Sequence, residues 1–222
     1  MKLNRDYQGP SEMPSVIPLF PLAGALLLPR RPLQLTMFEP RYLAMLDDSL
    51  SGERLIGMIQ PSAGEEASDV KPELCPIGCV GRIVQYAETG DGRCLVTMTG
   101  VARFRVINEA LAITPYRQAQ VDFSTFAGDF KEGEGEAAVD RASLLTALQQ
   151  FAEANQFKVD WGDIKKASNE ALVNGLAMMS PYGAKEKQAL LEAADLKTRA
   201  DILVAITQME LVRGVDAPTQ IH

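Results

Sequence analysis

The hydrophobic period changes once along this chain, and that change limits the folds open to it. Up to residue 126 the apolar residues come in short runs of strand length, whereas after AGDFKEGEGE (residues 127–136) they recur every three or four positions. Strands gathered in one half and helices in the other specify an α+β fold with the two kinds of element segregated. The expected organisation is a mostly antiparallel, barrel-like β-domain with one helix over residues 1–126, a flexible glycine- and acid-rich linker over 127–136, and a helical bundle over 137–222.

Within the first half, IPLFPLAGALLLPRRPLQLTMFEPRY (residues 17–42) is strongly apolar yet carries a proline every few residues. The uncharged run over residues 16–29 falls short of the roughly 20 residues a membrane span needs, and Pro18 and Pro21 would break its helix. The segment therefore reads as short strands turning corners, followed by a helix that starts at Pro40, presents Tyr42, Leu43, Leu46 and Leu50 on one stripe and ends at Gly52. RLIGMIQP is a further strand, and the acidic stretch over residues 62–73 an exposed loop. PIGCVGRIVQYAE and GRCLVTMT flank an Asp91-Gly92 hairpin signal. VARFRV places Val101, Arg103 and Arg105 on one face and Ala102, Phe104 and Val106 on the other, and YRQAQVDF closes the β-half. Closely spaced strands of this kind suggest a barrel or folded sheet.

After residue 136, AVDRASLLTALQQFAEA, NEALVNGLAMM, AKEKQALLEA and KTRADILVAITQMELV read as helices, the last capped by Asp195 and running to Gly214. The pair Met178 and Met179, with Met209, reads as helix-core packing. Arg30, Arg31, Arg82, Arg93, Arg103 and Arg105 form a basic set on the β-half, whose simplest role is to point outward and cover apolar surface with their stems.

The chemistry-bearing motifs are as informative as the pattern. At 222 residues the chain is large enough for a substantial core, since a domain of ~150 residues buries about 70% of its unfolded surface. A net charge of −7 and a pI near 4.9 argue against a duplex-binding protein. The three cysteines fit a reducing compartment, and the N-terminus lacks the unbroken apolar stretch of a signal peptide, so the expected location is the cytoplasm. Cys75 and Cys79 are spaced more widely than a Cys-x-x-Cys pair, and the single histidine is His222, so no metal site, cofactor site or catalytic triad is expected. No Gly-x-x-x-x-Gly-Lys-Ser/Thr phosphate loop occurs.

The opening IPLFPL, followed by Leu28-Pro29 and FEPRY, resembles the first signature of the substrate-binding domain found at the N-terminus of Lon proteases, and more closely its stand-alone bacterial form. Gly78, Ile83, Asp91-Gly92, Gly100 and Arg103-Phe104 match a second signature, and KEKQALL with Asp195-Leu196 a third. The resemblance implies a β-domain of pseudouridine-synthase-associated type followed by a helical bundle, without the ATPase module and serine-lysine peptidase of a full Lon. Arg30-Arg31 stands where relatives often have glycine, and Gln34 where they often have proline. The implied function is non-catalytic binding of unfolded or partly folded polypeptides, or of a specific protein partner; the short, proline-broken apolar run argues against a membrane, and the net negative charge against nucleic acid. Placing an apolar turn beside two arginines gives Leu22, Leu28, Arg30 and Arg31 as candidate polypeptide-binding residues. An RNA-binding barrel and a hydrolase with an unfamiliar site are the alternatives from other classes.

Overall fold

The computed structural model describes residues 6–62, 72–157 and 161–216, with side chains as far as residue 212. The β-half holds β1 (Val16–Pro21), β2 (Pro32–Met37), α1 (Pro40–Ser51), β3 (Leu55–Pro61), β4 (Leu74–Glu88), β5 (Cys94–Glu109) and β6 (Arg117–Asp122). Strand order is β2-β5-β4-β3-β1-β6, and β6 pairs also with β5, so β5, β4, β3, β1 and β6 form a ring that closes on itself. β2 lies outside the ring, paired with the first part of β5.

The prolines of β1 fit this closure. Residues 16–19 pair antiparallel with β6, and residues 19–21 pair parallel with β3. Pro18 and Pro21 are thus each laddered to one neighbour only, where a missing backbone donor costs no second bond. α1 begins at Pro40 and ends at Gly52, as the sequence pattern indicates. The β4–β5 hairpin turns with Gly90 and Gly92 at positive φ.

Two apolar clusters result. One fills the ring with Ile17, Leu19, Leu55, Val80, Ala102, Phe104 and Val121. A Cβ on Gly78 would stand 2.5 Å from the Phe104 ring, so glycine there lets a large side chain sit over the β4 backbone. The other cluster runs without interruption from the sheet through α1 into the helical half, including Leu27, Leu28, Met45 and Met98 on one side and Leu144, Val173, Leu190 and Leu203 on the other.

The helical half comprises α2 (Arg141–Ala154), α3 (Trp161–Lys166), α4 (Asn169–Met179), α5 (Ala184–Glu192) and α6 (Leu196–Asp216). Ser168 caps α4 by accepting from Ala171 N at 3.2 Å, and Asp195 Oδ1 accepts from Thr198 N at 2.7 Å at the start of α6. Tyr182 and Thr207 share a buried hydrogen bond of 2.7 Å.

Several features depart from the sequence expectation. α6 continues through Gly214 to Asp216, since one glycine inside a helix costs only about 1 kcal/mol. α3 has too few apolar positions to show a period. Met179 and Met209 are 83% and 54% exposed rather than packed in the helix core. The segment over residues 127–136 carries local structure: 3-10 turns occupy Ser124–Phe130 and Glu136–Ala138, and Asp129 is buried. Residues 63–71 of the expected acidic loop and residues 217–222 of the expected loose tail lie outside the described residues.

Candidate functional site

Beyond Pro21 the chain leaves the ring through residues 22–31. Leu22 N donates to Ile59 O at 2.9 Å, and Gly24, at φ 72°, donates its N–H to Gln60 Oε1 at 3.0 Å. The Gly24 carbonyl accepts from Lys187 Nζ at 2.9 Å, and Gln60 Nε2 donates to Ala184 O at 3.1 Å, which fastens the turn to α5. The run then buries Leu26, Leu27 and Leu28. Arg30 N donates to Gly100 O at 2.8 Å, and Gly100 N donates to Arg31 O at 3.0 Å. A Cβ on Gly100 would lie 2.1 Å from Leu28 O, so no other residue admits this approach. Arg30 has φ 62°, a left-handed conformation that costs a non-glycine residue about 1–2 kcal/mol. The backbone ladder and the ion pair between Arg30 and Glu170 hold it there.

The four candidate residues therefore do not form one open surface. Leu28 is 0% exposed and has no face to offer another chain, because the helical half covers the turn. Leu22 is half-buried against the same cluster. Arg30 reaches Glu170 of α4, and the Arg31 guanidinium lies over Gly175, 3.3 Å from where a Cβ would stand.

Charge is concentrated where barrel and helices meet. Arg103 faces away from the ring interior, as strand alternation requires, but it is 3% exposed rather than solvated. It grips Asp129 bidentately, Nε to Oδ2 and Nη2 to Oδ1 at 2.8 Å each, and Asp129 Oδ2 also accepts from Arg103 N at 2.9 Å. Nη1 of Arg103 donates to Leu191 O at 3.0 Å and to Ala193 O, capping the C-terminal carbonyls of α5. The Phe126 ring lies 4.1 Å from its guanidinium carbon. Arg199, on α6, is also 3% exposed, donating to Leu190 O at 2.9 Å and Asn174 Oδ1 at 2.8 Å. Burial, then the neighbouring Arg103 charge, lowers its pKa to about 10. Strand periodicity shows which way Arg103 points; it cannot show that Asp129, 26 residues away, comes to meet it.

Two clefts flank Arg30 and Asp129. The more open is a groove of about 450 Å³ over β4 and β5, lined by Tyr7, Arg82, Val84, Val101 and Phe130 together with Arg30. The Arg82 guanidinium, buried at the groove wall, stands 4.9 Å from the Tyr7 ring centroid. The other is a cavity of about 320 Å³ between Arg30, the connecting segment and the start of α6. The cysteines lie elsewhere in chemical character: burial drives the Cys79 thiol far above its usual pKa and raises that of Cys75, so both stay protonated. Among the described residues no three His, Cys, Asp or Glu side chains are grouped to hold a metal ion, and no helix is long and apolar enough to cross a membrane.

A barrel closed by its first strand and bolted to a helical bundle through an arginine on β5 is the arrangement to compare with known proteins. The family model for the ATP-dependent protease La (LON) substrate-binding domain matches residues 16–208. The chain belongs to this family. Among its relatives is the Lon protease of Desulfosudis oleivorans, 26% identical over 190 residues, covering 85% of this chain and 23% of the relative. The Lon protease of Parabacteroides distasonis is 28% identical over 206 residues, covering 91% of this chain and 25% of the relative. The chain thus spans about a quarter of the length of these curated relatives. Solved structures share the fold. A Lon N-terminal domain protein from Xanthomonas campestris superposes with a TM-score of 0.61 at 21% identity, covering 86% of this chain and 97% of that one. The N-terminal domain of Mycobacterium avium complex Lon protease gives 0.64 at 17%, covering 87% and 98%. The Lon-type fold of this chain includes both halves, since the matched residues run from β1 into α6.

Proposed function

We propose that this chain recognises polypeptides by non-covalent contact, in the cytoplasm and without chemistry of its own. The observation that carries the reading is the match of a substrate-binding domain family to residues 16–208. The groove over β4 and β5 supports it, because Tyr7, Val84, Val101 and Phe130 offer apolar contact while Arg30 and Arg82 supply donors for the carbonyl and carboxylate groups of a bound chain. Of the four candidate residues read from the sequence, Arg30 lines this groove. Protonated thiols and the lack of a phosphate loop favour selection by shape and charge over a covalent step.

The test is capture of a reduced, unfolded test protein by the immobilised chain, against the same protein in its native state and after nuclease treatment. Val84 is 45% exposed, so Val84→Glu keeps the melting temperature while weakening capture about tenfold. Failure to capture unfolded chains, nuclease-sensitive recovery, or undiminished capture by Val84→Glu together with Val101→Glu overturns the reading. ATP hydrolysis or peptide cleavage by the purified chain would overturn its non-catalytic part.

A further inference from the structure

We propose that the cavity between Arg30, the connecting segment and the start of α6 binds a carboxylate, with the Arg199 guanidinium as its buried counter-charge. Five cations line the cavity: Arg30, Arg103, Arg199, Lys131 and Lys197. Three of them are already matched, Arg30 to Glu170, Arg103 to Asp129 and Lys197 to Asp201. Lys131, on the exposed rim, has no carboxylate within 4 Å among the described residues. The remaining lining acids are exposed, and Asp195 is engaged in capping α6.

Arg199 is the unmatched charge in the wall. It is 3% exposed, its Nε and Nη1 donate to neutral oxygens, of Leu190 and Asn174, and its Nη2, itself closed to solvent, has no hydrogen-bond partner among the described residues. The C-terminal carbonyls of α5 take up part of the positive charge of Arg103 and Arg199, but partial charges do not neutralise two guanidiniums facing one Asp129 carboxylate. An unmade bond from a buried charged donor is among the more costly features a fold can retain. A carboxylate supplies one negative charge, which matches the single excess charge in the wall. A dianionic phosphate would overcompensate beside Asp129 and Glu170. Binding also returns the lowered Arg199 pKa toward its ordinary value, the expected sign for a missing counter-ion. The carboxylate comes either from a small free acid or from the acidic side chain or C-terminus of a bound polypeptide; only the second source rests on the function proposed above.

The experiment follows the side-chain Nε–Hε NMR signal of Arg199 in the full chain. It is titrated with sodium propionate, with an acidic peptide, and with that peptide amidated at every carboxyl, against sodium chloride at equal ionic strength. The expected result is a saturable shift and a raised melting temperature with a carboxylate but not with chloride, the thermal effect becoming about tenfold weaker in Arg199→Gln. A shift with propionate and none with the peptide assigns the site to a free acid. A shift with the peptide that amidation abolishes assigns it to a polypeptide. No shift with either, or an equal one with chloride, overturns the inference whether or not unfolded protein is captured, and this wild-type titration holds even if Arg199→Gln fails to fold.

Discussion

The interior of the barrel and the junction between barrel and helices both bury their side chains, yet the junction adds a set of buried charges to its hydrocarbon. Phe104, Leu19 and Val80 fill the ring with hydrocarbon, whereas Arg103, Asp129 and Arg199 occupy the junction with charge. Hydrocarbon packing is non-directional and survives modest rearrangement, while a buried ion pair depends on a few bonds and becomes a liability when one partner is lost. The barrel is therefore set by volume and the junction by geometry.

The largest effects come from breaking either material outright. Phe104→Ala empties the ring over Gly78 and should cost about 3–5 kcal/mol, read from denaturant unfolding. Asp129→Ala should cost about 3–5 kcal/mol as well, by stranding Arg103, but replacing both partners with Leu should cost much less than the single change. If the double replacement is as harmful as Asp129→Ala, the junction is not governed by charge pairing and the contrast fails. Leu28→Ala should follow at about 2–5 kcal/mol, as for any core leucine; an effect near zero would return Leu28 to the surface.

Smaller effects sharpen the contrast. Asp195→Ala removes the cap of α6 and should lower stability by about 1 kcal/mol. Tyr116, whose hydroxyl donates to Asp48 at 2.7 Å, has its pKa raised to about 12 by burial and then by Asp48. A raised pKa means that its contribution is complete below the unfolded value near 10 and is lost as pH climbs through about 12. Tyr116→Phe should thus cost about 1 kcal/mol at neutral pH and flatten the alkaline loss of stability between those values; an unchanged alkaline limb would assign that loss elsewhere.

The same contrast explains what the sequence discloses. Alternation in VARFRV places Ala102 and Phe104 in the ring, because a strand has two faces and the apolar one goes inward. It also says that Arg103 lies opposite, but whether that face meets water or another part of the chain depends on what packs over it. The connecting segment reads as loose from its glycines and acids, yet Asp129 within it is fixed by a partner that local composition does not reveal. Of the candidate site, Arg30 lines the groove, while Leu28 is lost to the core because an apolar run has the same appearance whether it is covered or open. Tyr7, Arg82 and Val84 come together only through the closure of the sheet.

Closure of the ring by β1 against β6 pairs Val16 with Gln120. During synthesis the first strand must wait for about a hundred further residues before its partner leaves the ribosome, and long-range pairings of this kind are slow to form. Throughout that interval the edge of β1 over residues 16–18 has no partner strand, and Pro18 interrupts it against the strands of neighbouring nascent chains.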